Sequence, residues 1–329
     1  MNVYKKIIIT LILLFASYLL YRLIQTRKEM IMQFEPFTPN SIVLQNTHLT
    51  TLKLSDYCIK ASLNSAYKNY TIDCNPSNPN NFLNVVLNRG VRFLDFEIYS
   101  LAGQPIVGYS SAYDTTNTNN EATNTTTDTF IQLNSVFKFI LSNKPNKITD
   151  PLFIQLRFKT IKTDIYTTVV NYIKQIFGGA LYSGTVNGNT LFSSIMNKII
   201  IVVDIVHSNS SYINSALHRS GLVNLETGKN TIQVISTVNL INSAQKRINI
   251  NNDGVTITSN ENPPIWTLTY PDIMNTANPD IKTLMLNQCP NIIQCRYDYD
   301  DPNLALYETL FNNQSFVAIG SAYSIASKW

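Results

Sequence analysis

The sequence predicts an α/β fold built on a parallel sheet or barrel, and three observations predict it. Four runs, residues 92–99, 152–158, 198–205 and 292–297, are apolar almost continuously, as expected of parallel strands covered on both faces. From Tyr57 onward such short β-branched or aromatic runs alternate with longer helix-compatible stretches, the rhythm of repeated strand and helix units. The length of 329 residues holds one barrel-sized domain or two smaller ones.

In chain order, residues 54–67 read as a strand running into Ser62-Leu63-Asn64. Residues 87–98 read as a second strand, entered through Gly90-Val91-Arg92 and carrying Asp95 and Glu97 with one residue between them. Residues 113–129 form an Asn/Thr tract without apolar periodicity, which predicts a loop. It follows the second strand, so it belongs on the C-terminal face, where barrel enzymes place their sites. A helix is expected over 130–140, a third strand over 151–157, a helix over 169–182 that ends in Phe177-Gly178-Gly179-Ala180-Leu181-Tyr182, and a fourth strand over 197–203. Residues 207–261 are polar, rich in Asn and Ser and punctuated by Gly221, Gly228 and Gly254, with some strand, such as 231–239, inside them. Further elements are expected over 266–271 and 292–316.

Composition excludes several function classes. The net charge of +4 is small and not gathered into a stripe, so neither nucleic acid nor an acidic partner is indicated. Charged residues are 14% of the chain, against about 25% in an average globular protein. With Asn, Thr, Ile and Tyr plentiful and Gly scarce, this bias reads as AT-rich coding, as in a large DNA virus, a protist or a low-GC bacterium. Cys58, Cys74, Cys289 and Cys295 lack metal-ligand spacing and read as buried thiols or, less readily, as disulfide partners.

Residues 7–24 are essentially apolar behind Lys5 and Lys6. At about 1.5 Å per residue they would reach roughly 27 Å, close to a hydrocarbon core of about 30 Å. A cleaved signal peptide fits less well, because Phe15-Ala16-Ser17 is a poor cleavage site inside the run. The expectation is a tip and transmembrane anchor over 1–28 and a juxtamembrane stalk over 29–52. That would make a single-pass protein of a host or virion membrane, its orientation undecided by flanking charge.

The ordered segments together resemble the catalytic domain of eukaryotic-type phosphoinositide-specific phospholipases C. The resemblance runs collinearly from about Lys53 to Ser324, and its specificity lies in that order. It implies an irregular TIM barrel of the PLC-like phosphodiesterase type over 53–326, with a first half 53–206, a variable linker region 207–261 and a second half 262–326. It also implies a catalytic site using two histidines and calcium. Leu63 stands where the first histidine is expected, and Gly108 or Tyr109 where the second is. Asn64, Asp95 and Glu97 match calcium-ligand positions, whereas Arg157 replaces the fourth. The strand that would end in phosphate-gripping lysines ends in Val202, Val203 and Asp204, and His48, His207 and His218 fall on no matched motif.

Calcium needs six to eight oxygens, so the expectation is that the metal is lost and that the Arg157 fork pairs with Asp95 or Glu97. No cofactor is then expected. A catalytically inactive, membrane-anchored scaffold with a protein partner follows. The alternatives are binding of an inositol-lipid or polyol headgroup without cleavage, and a divergent but active phosphoric diester hydrolase.

Overall fold

The computed structural model describes residues 13–19, 21–22, 52–68, 71–75, 78, 80–109, 130–143, 149–229, 232–243, 248–251, 254–257, 266–271, 277–312 and 314–329. The chain divides into two compact units, Met1–Thr38 and Pro39–Trp329. In the first, residues 13–19, 21 and 22 are helical. The expected transmembrane anchor over 7–24 is corrected here: among the described residues no helix is long and apolar enough to cross a membrane. The single-pass membrane localisation and the membrane contact inferred from that segment fall with it. The remainder of 7–24, and all of the expected stalk except Leu52, lie outside the described residues, as does the Asn/Thr tract at 113–129.

The second unit is a nearly closed ring of eight parallel strands in chain order. They are β1 (Tyr57–Ser62), β2 (Phe93–Leu101), β3 (Leu152–Phe158), β4 (Ile199–Asp204), β5 (Leu225–Thr227), β6 (Ile232–Ser236), β7 (Trp266–Tyr270) and β8 (Ile292–Cys295). Each except β5 pairs in parallel with the next, and β8 returns to β1, so the sheet is continuous from β6 round to β5. No ladder joins β5 to β6 among the described residues. The turn between them holds Gly228 at φ +86°, packed against Val206 so closely that a Cβ would collide. Both strands fall inside the stretch that reads as a variable linker.

Strand alternation sorts the side chains, because successive residues face opposite sides of a sheet. Tyr57, Ile59, Ala61, Phe93, Phe153, Ile200, Val202, Trp266, Leu268 and Ile292 gather in one buried cluster drawn almost entirely from the strands, the barrel interior. The alternate residues Leu94, Phe96, Ile154, Leu156, Ile201 and Val203 join the cluster under the helices Phe82–Asn88, Leu133–Asn143, Ile165–Phe177, Ile281–Asn287 and Pro302–Phe311. Burial on both sides is why these strands read as unbroken apolar runs. Toward the C-terminal ends the inward positions become polar while staying buried: Asp95 and Glu97 on β2, Gln155 and Arg157 on β3, Asp204 on β4.

Two polar contacts fasten the helix Pro302–Phe311 to β1. Lys60, facing outward, donates from Nζ to the Arg89 carbonyl at 2.6 Å and pairs with Glu308 at 2.5 Å. Tyr307 accepts a hydrogen bond from the Ala61 N–H at 2.8 Å and donates to the Ile293 carbonyl at 2.7 Å, bridging β1 and β8. All four cysteines are free and buried, and the Cys58 thiol shares a hydrogen bond with the Cys289 thiol that, with burial, pushes Cys58 well up. Tyr307→Phe removes both hydrogen bonds of a fully buried hydroxyl, so it should cost about 1–3 kcal/mol in urea unfolding. Tyr323→Phe, on a less buried ring, should change little.

Candidate active site

The site begins where β1 ends. Asn64 adopts a left-handed conformation (φ 45°), which Asn tolerates better than most residues. The turn it makes is sewn to both neighbouring strands. The Leu63 N–H donates to the Cys295 carbonyl at 2.9 Å, the Asn64 N–H to Asp95 Oδ2 at 2.9 Å, and the Ser65 N–H to the Asp95 carbonyl at 2.9 Å. The Asp95 N–H returns a bond to Ser65 Oγ at 2.8 Å, and Ser65 Oγ also bonds Ser62 Oγ. The residue types of this motif therefore have a structural use that involves no substrate.

Parallel register sets Asp95 beside Gln155 and Glu97 beside Arg157. The guanidinium spends its fork on three residues at once. Arg157 Nε donates to Asp95 Oδ1 at 2.8 Å and Nη2 to Asp95 Oδ2 at 2.7 Å, a bidentate pair. Arg157 Nη1 donates to Glu97 Oε1 at 2.9 Å, and Nη2 also to Asn64 Oδ1 at 2.7 Å. Gln155 Nε2 adds a bond to Asp95 Oδ1 at 3.1 Å, and the Tyr99 hydroxyl one to Glu97 Oε2 at 2.6 Å. Arg157, Asp95 and Glu97 are 0% exposed. Charges so deeply buried persist only when paired and hydrogen-bonded, and removal of one partner strands the others.

Around this centre lie groups that sequence reasoning passes over. Lys159 follows Arg157 by two residues and so faces the same way; burial lowers its ammonium to about 8, against the pull of the Glu97 charge. At the end of β4, Asp204 Oδ2 pairs with His207 Nδ1 at 2.8 Å, and the His207 ring meets Tyr270 edge-on at 4.9 Å. Burial works to raise the Asp204 carboxyl, but the His207 imidazole holds it below its usual range. Arg296, directly after β8, pairs with Asp298 at 2.8 Å. The available signal for Lys159 and Arg296 is their inward phase at the end of an apolar run.

Above the network the mouth is filled. Leu63 is buried, and Tyr67 and Tyr109 stack with ring centroids 4.0 Å apart. Gly108 lies opposite Glu97 on the antiparallel strand Gln104–Gly108. Leu63, Asn64, Tyr67, Tyr109, Pro271 and Arg296, with Asp298, line a cavity of ≈ 10 Å³, the threshold for holding one water. Burial pushes the Tyr109 hydroxyl up to about 12, against the influence of Arg296. The two positions at which the resemblance expects histidine thus present an aliphatic side chain and a glycine-tyrosine pair.

No protein-family model matches the chain, and no curated protein matches it in sequence. Solved structures do match in shape. The crystal structure of L. pealei PLC21 aligns over 83% of this chain and 37% of its own, with a TM-score of 0.58 and 13% identity. That of S. officinalis PLC21 aligns over 82% and 37%, with the same score and identity. The barrel has the phospholipase C-like phosphodiesterase fold. The chain spans little more than a third of those two relatives. A phosphatidylinositol-specific phospholipase C mutant from Staphylococcus aureus aligns over 84% of this chain and 93% of its own at 12% identity, but its TM-score of 0.47 is too low to argue from.

Two outcomes test this site of the phospholipase C-like barrel. Arg157→Leu leaves Asp95 and Glu97 buried without their cation and should cost about 3–5 kcal/mol in urea unfolding at neutral pH. The second concerns Lys159. Its folded value, about 8, lies below the ordinary 10.5, so between those values the unfolded chain binds the extra proton, and stability rises with pH at up to about 1.4 kcal/mol per unit. Below about 8 the penalty for the buried charge is fully present. Stability measured across that window should therefore rise more steeply for the wild type than for Lys159→Met; equal slopes would refute the assignment.

Proposed function

We propose that this phospholipase C-like barrel does not hydrolyse phosphodiesters and serves as an interaction scaffold for a protein partner. The observation that carries the reading is the single guanidinium of Arg157 bonded to Asn64, Asp95 and Glu97 together. Those are the positions that the resemblance assigns to calcium. An ion that wants six to eight oxygens and negative charge would have to displace a fixed cation already 2.7–2.9 Å from those oxygens. The donor set does not fit it, and no catalytic step is derived through it.

Neither position at which the resemblance expects a histidine supplies an acid or base suited to neutral pH. Leu63 carries no proton, and a Tyr109 hydroxyl raised to about 12 transfers one poorly at neutral pH. Each lost acid or base costs about 10²- to 10⁴-fold. A divergent hydrolase would have to use Lys159 or the Asp204-His207 pair, which are all buried. Headgroup binding without cleavage is the second reading, favoured by Arg296 at the mouth. The cavity there, ≈ 10 Å³, favours the scaffold instead, since a headgroup would have to part the Tyr67-Tyr109 stack.

A fluorogenic inositol-phosphodiester assay with calcium titration tests the proposal. No turnover above the enzyme-free rate is expected, and no saturable calcium binding tighter than about 1 mM by calorimetry. Calcium-dependent turnover that disappears in Asp95→Asn would overturn it. Arg157→Glu exchanges the cation for a fourth oxygen ligand, so it should gain calcium binding while remaining inactive. Vesicle flotation addresses the second reading: preference for phosphatidylinositol over phosphatidylcholine would favour it.

A further inference from the structure

We propose a second ligand site on the outer face of β5, built to take a small hydroxylated anion. It is a groove of ≈ 510 Å³ lined by residues that include Asn187, His218, Asn224, Glu226 and Lys229. Its volume lies within the roughly 300–1,000 Å³ typical of small-molecule clefts, and it shares no lining residue with the barrel mouth.

Glu226 organises the polar side. Its Oε1 accepts from the Tyr212 hydroxyl at 2.7 Å and meets His218 Nδ1 at 2.7 Å, while Oε2 pairs with Lys229. An ionised carboxylate only accepts, so His218 Nδ1 carries the hydrogen and Nε2 is left for a ligand. Asn187 Oδ1 accepts from the Asn189 N–H at 2.9 Å, which leaves its Nδ2 as a donor. Neither His218 Nε2 nor Asn187 Nδ2 has a protein partner among the described residues. Lys229 is half exposed and keeps further N–H donors beyond the one facing Glu226.

The walls are set before any ligand arrives. Asn224 Nδ2 donates to the Tyr182 and Gly184 carbonyls at 2.9 and 2.7 Å, and its Oδ1 accepts from the Ile201 N–H at 2.8 Å. The turn carrying Asn187 is held by Leu54 N–H to the Thr190 carbonyl at 2.9 Å and Ser55 N–H to the Gly188 carbonyl at 3.1 Å. A preorganised groove loses less conformational freedom on binding. The Nε2 of His218, which a hydroxyl can meet as donor or acceptor, and the donors at Asn187 and Lys229 complement a ligand with one hydroxyl and one carboxylate or phosphate group.

The test is an NMR titration of the full chain, reading the His218 ring and the Asn187 side-chain amide, with glycerol 3-phosphate in one arm and glycerate in the other. A saturable shift at both residues with a dissociation constant near or below about 10 mM, in either arm, is expected. The arm that binds tighter identifies the anion. Lys229→Met should weaken it at least about tenfold, the loss of one charge-assisted hydrogen bond, while Tyr109 resonances stay still. The proposal fails if neither probe gives a saturable shift, if potassium chloride at matched ionic strength gives the same one, or if Lys229→Met binds unchanged.

Discussion

The ion pair of Arg157 with Asp95 is the contact on which the upper half of this barrel depends. Asp95 holds the turn after β1 through the Asn64 and Ser65 N–H groups and receives the guanidinium from β3. Three neighbouring strands therefore meet at one carboxylate. Two acidic side chains with no exposure need a partner that satisfies their oxygens, and the guanidinium two strand positions beyond Gln155 supplies it. Below this level the interior is apolar from Tyr57 to Trp266 and needs no such device.

The same network separates framework from chemistry. Asn64, Ser65 and Asp95 look like relics of a catalytic motif when only residue types are considered. In the structure they are fully employed in closing a left-handed turn and neutralising a buried charge. Such residues serve what the fold needs, and Leu63 and Tyr109 pack beside them at the mouth.

Legibility in the sequence follows the same division. Strands β2, β3 and β4 are readable because both of their faces are covered, which leaves long apolar runs. β5 has only three residues and lies in an Asn- and Ser-rich stretch, so no periodicity marks it as part of the ring. Asp95, Glu97 and Arg157 are readable through period-two phase and resemblance, but the register that brings them together is a property of strand pairing. Arg296 and the Asp204-His207 pair come from separate strand ends, and nothing local announces where those ends converge. The apolar run at 7–24 shows the opposite error: hydropathy points to a span there, whereas among the described residues no helix is long and apolar enough to cross a membrane.

The unpaired seam between β5 and β6 has a consequence of its own. A fully closed barrel must match strand number, tilt and stagger, so a one-residue change in any strand propagates around the ring. Among the described residues the sheet here has a beginning and an end, with a four-residue link that starts at Gly228 between them. Mismatch can be absorbed at that gap. Chain length can therefore drift on either side of it, in the polar stretch that contains both edge strands, without shifting the register that seats Arg157 against Asp95.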